Sequence, residues 1–406
     1  MTAYRVLAGT LDSVWKERGK LAKIEKLAGT LGTLEGEELK AAARLASGTP
    51  FAEWEQAVTS VGWATVAKAA SAVTGWDLET IGACATAIGD LGEAVGLLLT
   101  EEPTAENVMS IGEVDARLRE LARERKAAAK QAAVEAMLRR SSPVEGKYLI
   151  KTLSGGLRIG ADVTTVEEAI ARAFGAEREA VARAHRDCGD IGETAVAARE
   201  GALAAIRFRL FHPIGFMLAT PIEVADEVAD DLPLFAVEDK YDGIRAHAHK
   251  SGSRVALFSR TLDDVTAQFP EVAASLAKLP GSFLLDGEIL AWKDGRPDSF
   301  FRLQRRLGRK APPPEVLEEF PVAFVAYDCL ARDGRPLFEE PWSARRAELE
   351  AISPDGGLLV SPVMSAETPA RLDSLFDEAR ERGNEGLMLK SRDSTYQAGK
   401  RGRAWR

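Results

Sequence analysis

The chain has 406 residues, of which 46% are hydrophobic and 28% charged, so its length predicts two or three ordinary globular domains. No stretch reaches the roughly 18–20 apolar residues of a membrane-spanning helix. Three widely separated cysteines without a C-x-x-C pattern argue against a disulfide framework and against a zinc site. The first residues show no signal-peptide pattern. We therefore expect a reduced, cytoplasmic protein with no membrane partner.

The net charge of −9 has the wrong sign for a protein that coats nucleic acid by bulk charge. Two local clusters are nevertheless basic, one between residues 302 and 310 and the other between residues 390 and 406. Their cations are Arg302, Arg305, Arg306, Arg309 and Lys310 in the first cluster, and Lys390, Arg392, Lys400, Arg401, Arg403 and Arg406 in the second. Each cluster could be an ordinary solvated surface, but each is also compatible with contact to a phosphate backbone.

The first half of the chain, residues 1–210, is rich in alanine and predicts a helical domain. Its clearest element is a helix over 113–140, where apolar residues recur at spacings of four and three on one face. A second helix should begin after residues 164–165, with two glutamates in its first turn, and a third should cover 191–208. We see no repeat of fixed period.

The second half changes to short β-rich runs separated by Asp-Gly turns, which predicts an α+β domain built on antiparallel sheet. Helices should interrupt the strands near 267–279 and 370–382. The predicted strands are FAVEDK, IRAHAHK, VALFSR, FLLDGEILAW, VAFVAYDCL, LLVSPV and EGLMLKS. The boundary between the halves should fall at 208–222.

Lys240 ends the first of these strands, and Asp242–Gly243 turns the chain immediately after it. An ordinary lysine with a pKa of about 10.4 is a poor nucleophile at neutral pH. Desolvation or neighbouring cations lower the pKa of a lysine, and the free amine can then act in covalent catalysis. By itself the segment could equally be a surface hairpin.

Charged and aromatic residues follow Lys240 on later strands in a fixed order. Glu288 lies 48 residues after the lysine and Glu385 lies 145 residues after it. Two acids on strands of one sheet, converging on a lysine, can hold Mg²⁺ against a triphosphate. The segments that carry this order are EDKYDGIR at 238–245, FSR at 258–260, LDGE at 285–288, FVAYD at 324–328 and EGLMLK at 385–390.

These ordered segments resemble the motifs of the covalent nucleotidyltransferase superfamily, and within it those of ATP-dependent DNA ligases. The resemblance implies an all-α N-terminal DNA-binding domain over 1–210, a linker over 211–222 and an α+β nucleotidyltransferase (adenylation) domain with antiparallel sheets over 223–406. It implies ATP and Mg²⁺ as cofactors and AMP covalently attached as an intermediate. The small OB-fold domain that normally follows is missing from the sequence.

The resemblance also assigns roles to individual residues. Lys240 matches the lysine that becomes adenylylated, and Glu288 and Glu385 match the carboxylates associated with the metal. Tyr327 occupies the place of an aromatic residue that stacks on adenine, with Phe324 as the fallback. The other nucleotide-binding residues it implies are Glu238 at the adenine amino group, Arg245 and Arg260 near the ribose and phosphates, Lys390 at a phosphate, Glu288 and Arg401.

In the helical half, the segment EGKYLIKTLSGGLRIG at 145–160 is similar to the signature of the DNA-binding domain that precedes the catalytic core in these ligases. The turn Ser154, Gly155 and Gly156 would let backbone amides approach a phosphate, with Lys151 and Arg158 beside it. Without the catalytic motifs this turn could be a glycine-rich connection between helices. Arg305 and Arg306 of the basic cluster complete the predicted DNA contacts.

The resemblance implies a monomeric enzyme that seals nicks in double-stranded DNA, with repair or replication proteins as further partners and, in a bacterium, association with the nucleoid. The sequence departs from the family at Phe216, where a proline is common, and it stops at Arg406, before two lysines that the last motif would supply. The alternatives left open are a catalytically impaired ligase or DNA-binding repair scaffold, an RNA ligase, and a capping guanylyltransferase.

Overall fold

A computed structural model describes residues 1–104, 107–309, 311–353 and 357–406. The chain forms two compact units, Met1–Arg207 and Phe208–Arg406. Lys310, the last cation of the first basic cluster, lies outside the described residues. Within the described part of the chain, no helix combines the length and the apolar character that crossing a membrane requires.

The first unit is helical, as predicted. In its first helix, Leu7, Leu11 and Val14 form one buried stripe because they recur at spacings of four and three. Its helices are α1 Tyr4–Lys16, α2 Lys20–Leu31, α3 Gly36–Ser47, α4 Trp63–Thr74, α5 Leu78–Ile88, α6 Leu91–Leu98, α7 Ile111–Arg123, α8 Ala127–Leu138, α9 Pro143–Leu153, α10 Val163–Phe174, α11 Arg178–Cys188 and α12 Ile191–Arg199.

Three helix predictions need correction. The single helix predicted over 113–140 is two helices, α7 and α8, because the Glu124 carboxylate accepts hydrogen bonds from the next two backbone N–H groups and the chain is extended there. α10 begins before the predicted threonines because Asp162 caps it, which moves the two glutamates out of the first turn. α12 ends at Arg199 rather than near residue 208.

The first unit contains an internal duplication that the sequence analysis missed. Helices α1, α2 and α3 begin 107 positions before α7, α8 and α9, and α4, α5 and α6 begin 100 positions before α10, α11 and α12. Helices of one half pack on helices of the other half, in equivalent pairs. α10 packs on α2 while α4 packs on α8, and α12 packs on α3 while α6 packs on α9. A mutual exchange of this kind is the pattern of a two-fold axis.

Individual contacts repeat in the same exchanged way. Asp90 caps α6 and pairs with Lys151 of α9 at 2.7 Å, while Asp190 caps α12 and pairs with Arg44 of α3 at 2.5 Å. The two capping aspartates belong to the same pattern, G-D-[LI]-G-E, at 89–93 and 189–193.

Two buried lysines follow the exchange as well. The Lys23 ammonium donates to the carbonyl oxygens of residues 159 and 160, and the Lys130 ammonium donates to those of residues 59 and 60. Where the two halves meet, Ala3 and Ser110 form an antiparallel bridge. The two backbone hydrogen bonds that flank this bridge are equivalent: replacing each residue by its counterpart in the other half turns one bond into the other. The pseudo-two-fold axis therefore passes near this bridge.

The buried Arg44–Asp190 pair makes the stability of the first unit sensitive to acid. Burial alone raises the pKa of Asp190, but the hydrogen bonds and charge of Arg44 lower it below its usual value. A carboxyl group with a depressed folded pKa stabilises the fold above its unfolded pKa of about 4 and loses that contribution as the pH falls through the folded value. We expect urea unfolding to show a smaller difference between wild type and Asp190→Asn at pH 3 than at pH 7. An equal difference at both pH values would contradict this assignment.

The second unit is the predicted α+β domain with antiparallel sheets. Its larger sheet has the strand order β4-β3-β5-β7-β8, with β6 on β5 and β9 parallel to β7, and a second sheet pairs β2 with β10. The strands are β1 Leu218–Ala219, β2 Phe235–Lys240, β3 Ile244–Ser251, β4 Arg254–Ser259, β5 Phe283–Lys293, β6 Arg296–Pro297, β7 Val322–Arg332, β8 Arg335–Pro336, β9 Leu359–Val360, β10 Gly386–Ser391 and β11 Arg401–Gly402.

Five helices of the second unit are described: α13 Pro270–Ala277, α14 Phe300–Gln304, α15 Pro314–Glu319, α16 Trp342–Glu350 and α17 Pro369–Glu381. α13 and α16 pack on the larger sheet, and α17 packs on β10. The two predicted helices are thus present within shorter or shifted bounds. The predicted strand LLVSPV is reduced to Leu359–Val360.

Candidate active site

Lys240 and Glu385 meet where the smaller sheet ends. Lys240 is the last residue of β2 and lies opposite Gly386, the first residue of β10, and the N–H of Glu385 donates to the Lys240 carbonyl at 2.8 Å. This register places the two side chains together, and the Lys240 ammonium forms an ion pair with the Glu385 carboxylate. Both side chains remain about half exposed, so the amine is accessible from the adjoining cavity.

Glu288 reaches the same cavity from the larger sheet. It lies opposite Arg245 in the pairing of β5 with β3. Gly243 makes the approach possible, because a Cβ there would lie 2.4 Å from the Ile289 carbonyl oxygen and 2.8 Å from Glu288 Cγ. Burial raises the pKa of Glu288 to about 8.

The cavity has a volume of about 430 Å³, within the range of small-molecule sites. The residues that line the cavity are far apart in sequence. They include eight of the predicted site residues: Glu238, Lys240, Arg245, Arg260, Glu288, Tyr327, Glu385 and Lys390. The structure brings both acids to the cavity beside Lys240, but the prediction that they lie on strands of one sheet is wrong: Glu288 lies on β5 of the larger sheet, and Glu385 directly precedes β10 of the smaller one. The role of each residue stays a prediction.

Glu238 and Lys390 form a buried charged pair at the inner end of the cavity. The Lys390 ammonium lies 3.1 Å from a Glu238 carboxylate oxygen and between the rings of Tyr327 and Trp405, at 4.3 and 4.7 Å from their centroids. Burial raises the pKa of Glu238 and lowers that of Lys390. The second Glu238 carboxylate oxygen is buried 4.0 Å from the Arg346 guanidinium, and among the described residues none donates a hydrogen bond to it, so it can accept one from a ligand.

Tyr327, rather than its fallback Phe324, faces the cavity. Phe324 is buried in the core against β5, where a Cβ on Gly287 would lie 2.4 Å from its ring. Tyr327 lines the cavity with its ring below the Lys390 ammonium.

Tyr327→Ala is expected to weaken binding of a non-reactive ATP analogue by about 1–3 kcal/mol, since that is the usual contribution of one aromatic ring stacked on a base. Calorimetric titration measures this change. Tyr327→Phe keeps the ring and should bind as the wild type does. Phe324→Ala should instead lower the unfolding free energy, by about 3–5 kcal/mol. Wild-type affinity in Tyr327→Ala would show that the ring does not contact the nucleotide.

Arg245 is held in place by a network that sequence reasoning missed. Its guanidinium donates to both oxygens of Asp286, at 3.0 and 2.7 Å, and to the Met217 carbonyl at 2.7 Å. The Tyr396 hydroxyl donates to Asp286 at 2.9 Å and accepts from the Met217 N–H. Although burial by itself raises the pKa of Asp286, the charge of Arg245 holds it well below its usual range. The sequence feature that could have identified Asp286 is its place in the LDGE segment.

Phe216, the departure from the family pattern, also has a defined place in this region. Its ring stacks on the buried His247 ring with centroids 3.7 Å apart, and the Arg245 guanidinium lies 5.0 Å from the centroid of Phe216. The segment around Phe216 and Met217 therefore packs against the residues that support the cavity.

Two predicted nucleotide contacts differ in placement. Arg260 is exposed and lines the cavity after β4. Arg401 instead donates to the Ala219 carbonyl on β1 and lines a neighbouring apolar cavity, which shares Lys240 and Met388 with the first. Trp405, Leu218 and Met388 line the nucleotide-sized cavity and were not predicted, because an apolar wall residue looks like any core residue in a sequence.

The predicted DNA contacts of the second unit divide in the same way. Arg305 is exposed, with its guanidinium 5.0 Å from the Phe301 ring centroid. Arg306 is fully buried, where it pairs with Glu271 and donates to the Gln268 and Phe320 carbonyls. A guanidinium without exposed surface has no access to a phosphate, so the prediction for Arg306 is corrected to a structural role.

The glycine turn of the first unit also needs correction. The amides of Ser154, Gly155 and Gly156 all donate to carbonyls at the end of α9 and are not free for a phosphate. Gly155 has φ +77°, so the turn is a helix C-cap. Lys151 is buried between Asp90 and Glu93, whereas Arg158 is exposed. The exposed residues of this region are Ser154, Gly155 and Arg158.

Comparison with known families agrees with this architecture. The family described as "DNA ligase N terminus" matches residues 3–171, and the family described as "ATP dependent DNA ligase domain" matches residues 216–406. The fold is that of a nucleotidyltransferase. Within that class, the chain belongs to the family of ATP-dependent DNA ligases.

Individual relatives support the assignment over nearly the whole chain. A protein named "Probable DNA ligase" from Koribacter versatilis is 38% identical, covering 99% of this chain and 74% of the relative. A "DNA ligase" from Methanoculleus marisnigri is 34% identical over 95% of this chain and 72% of the relative. A solved structure described as "Pmar-Lig_PreS3" shares the fold, with a TM-score of 0.62 and 14% identity, over 98% of this chain and 77% of that one.

Proposed function

We propose that this ligase seals nicks in duplex DNA, as a monomer, through an adenylate carried on Lys240. The observation that carries the proposal is the ion pair between Lys240 and Glu385 at the wall of a cavity of about 430 Å³. That volume suits one nucleotide. Glu238, Tyr327 and Arg245 line the cavity as hydrogen-bonding, stacking and cationic groups.

In the first step the Lys240 amine attacks the α-phosphorus of ATP. A phosphorus–nitrogen bond forms, and the phosphorus–oxygen bond to pyrophosphate breaks. The amine must first lose a proton, and Glu385, which contacts it, can accept that proton. Arg245, Arg260 and Lys390 line the cavity and can stabilise the charge that develops on the phosphoryl oxygens.

Glu288 and Glu385 fit the requirements of Mg²⁺. Mg²⁺ usually takes one or two carboxylates and completes its coordination with water and substrate phosphates. The absence of a cluster of three metal-binding side chains among the described residues is compatible with such a site. Bound there, Mg²⁺ would neutralise part of the triphosphate charge. Glu238, whose carboxylate is buried beside Lys390, would hydrogen-bond the base rather than hold the metal.

The later steps involve DNA. The adenylate passes from Lys240 to the 5′-phosphate at the nick, and the amine leaves with its proton restored. The neighbouring 3′-hydroxyl then attacks this phosphorus and expels AMP, which closes the backbone. The helical unit would bind the duplex through phosphates and groove shape, without reading its sequence.

The mass of the protein after incubation with ATP and Mg²⁺ tests the proposal. The expected result is an adenylate adduct that resists acid, together with joining of a 5′-labelled nicked duplex. GTP in place of ATP should give no adduct. A protein that binds nicked duplex but never gains an adduct or joins DNA would be a DNA-binding scaffold, and the proposal would then be wrong.

A further inference from the structure

The contact between Lys240 and Glu385 lies at the point where the pairing of β2 with β10 ends. The last residue pair of this ladder is Lys240 with Gly386, and Glu385 precedes the strand. The exposed fractions of the Lys240 and Glu385 side chains are 47% and 40%, so packing alone does not fix their positions. The carboxylate therefore needs another support if it is to stay beside the amine.

Asp239 and Asn384 provide such a support, because Asp239 directly precedes Lys240 and Asn384 directly precedes Glu385. The Asn384 amide nitrogen Nδ2 donates to Asp239 Oδ2 at 2.8 Å. An ionised carboxylate only accepts hydrogen bonds, so the orientation of the Asn384 amide is fixed. Both residues are buried, and a hydrogen bond shielded from water is stronger than one at the surface. This bond joins the strand of Lys240 to the segment that carries Glu385.

Arg382 holds the Asp239 carboxylate in the orientation that this bond requires. Its guanidinium donates to Asp239 Oδ2 from Nε at 2.9 Å and to Oδ1 from Nη2 at 2.6 Å. Although Asp239 lines the cavity, both of its carboxylate oxygens are bound to protein groups. The carboxylate is therefore directed at its neighbours in the fold rather than at the nucleotide.

The backbone around Asn384 is fixed to the end of α17. Gly383 follows the helix with φ +86°, and the Asn384 N–H donates to the Ala379 carbonyl at 3.0 Å, which is the Schellman ending of a helix. The Arg380 guanidinium donates to the carbonyls of Asn384 and Glu385, at 3.1 and 3.3 Å. The segment that carries Glu385 is thus held to α17 by its backbone and to β2 by the Asn384 side chain.

The ion pair of Lys240 with Glu385 cannot by itself hold the carboxylate in place throughout the reaction. The amine is neutral when it attacks, and its nitrogen carries no positive charge in the adenylate, so the charge attraction to Glu385 is lost in both states. The bond between Asp239 and Asn384 does not involve the amine and persists. Its persistence matters for the rate, because a displacement of about 1 Å in a reacting site can cost about 100-fold.

We propose that Asp239 is a positioning residue, which through Asn384 keeps the Glu385 carboxylate beside the Lys240 amine while the adenylate forms. The inference rests on the proposed function, in which Glu385 accepts the proton of the amine. It gives a role in the reaction to two residues, Asp239 and Asn384, that were not among the predicted site residues.

The rate of adenylate formation in a single turnover tests the proposal. The protein is first freed of adenylate with pyrophosphate and is then mixed with saturating ATP and Mg²⁺. Asn384→Ala removes the bond to Asp239 but leaves the ion pair of Asp239 with Arg382, and we expect it to lower the rate about 10- to 100-fold. Its dissociation constant for a non-reactive ATP analogue should equal that of the wild type, because the residues that would contact the nucleotide are unchanged.

A matched variant and a second background separate positioning from stability. Arg371→Ala removes an exposed ion pair with Glu378 on the same helix and should leave the rate unchanged. In a protein that already carries Glu385→Gln, Asn384→Ala should lower the rate no further, because the carboxylate that it positions is absent. A residue with only a structural role would instead lower the rate by the same factor in both backgrounds. Circular dichroism shows whether each variant is folded.

An equal fold-decrease in the two backgrounds would overturn the inference. Weaker binding of the analogue at an unchanged rate would assign Asn384 to nucleotide binding and would likewise disprove the positioning role. The wild-type protein reports separately on the proposed function. If it forms no adduct, that proposal and this inference fail together, whereas an adduct that forms equally fast in the wild type and in Asn384→Ala disproves the positioning role alone.

Discussion

Lys240→Ala is expected to abolish the acid-stable adenylate and to lower nick joining by about four orders of magnitude or more, the scale on which loss of a covalent nucleophile is felt. The structure gives the reason: Lys240 is the lysine that the register of β2 and β10 places beside Glu385 at the cavity wall. Incubation with α-labelled ATP and Mg²⁺, followed by denaturing electrophoresis, measures the adduct.

Lys240→Arg is the matched control, because a guanidinium keeps the charge that pairs with Glu385 but stays protonated and cannot attack. It should fold as the wild type does and take up no label. Both variants should still join a nick whose 5′-phosphate already carries AMP, since that step does not use the amine. Acid-stable label on either variant would show that another residue is the nucleophile.

Asp286→Asn is expected to lower the free energy of unfolding by about 3–5 kcal/mol, the usual cost of removing one partner of a buried ion pair. Asp286 is fully buried and accepts hydrogen bonds from Arg245 and Tyr396. An asparagine amide cannot neutralise the Arg245 guanidinium. Its N–H₂ group would also face one of the groups that donate a hydrogen bond to Asp286, so that two donors would meet. Because Arg245 then loses its anchor at the cavity, ATP affinity should fall as well.

Urea unfolding and titration with an ATP analogue measure the two effects. Glu350→Gln provides the control. The Glu350 side chain is exposed and forms an ion pair with Arg346, and exposed ion pairs contribute little to the free energy of unfolding. We expect that variant to stay within about 1 kcal/mol of the wild type. Equal stability of the Asp286→Asn and Glu350→Gln variants would mean that the buried network does not support the fold.

The catalytic unit was predictable from sequence to a large extent. Strands β2, β3, β5 and β7 were found because period-two alternation and Asp-Gly turns mark them clearly, and the ordered motifs identified eight of the residues that line the cavity. The short strand β9 was overestimated, since three apolar residues in a row do not show where pairing with β7 ends.

What the sequence did not reveal depends on contacts between distant segments. The burial of Arg306 and Lys151 follows from acids supplied elsewhere in the chain, Glu271 for the first and Asp90 for the second. A cluster of arginines looks the same in sequence whether it is solvated or folded inward. Likewise, the glycines of the 154–156 turn suggested free amides, and only the end of α9 shows that these amides are already bonded.

The duplication was missed for a different reason. Its offset changes from 107 to 100 between α3 and α4, because the connection before α4 is longer than the one before α10, so no single period exists. The one clear signal was the pattern G-D-[LI]-G-E at 89–93 and 189–193. In each copy the glycine after the aspartate gives close access to the opposite half: a Cβ on Gly92 would lie 2.6 Å from Lys151 Cγ, and one on Gly192 would lie 2.6 Å from the Lys40 carbonyl oxygen.

Because α3 packs on α12 and α6 packs on α9, neither half of the helical unit forms a complete hydrophobic core by itself. Separately expressed peptides corresponding to the two halves would each present unsatisfied apolar faces, yet those faces are complementary. The helical unit is thus organised like a heterodimer fused into one polypeptide, and it is a natural candidate for splitting into a complementation pair.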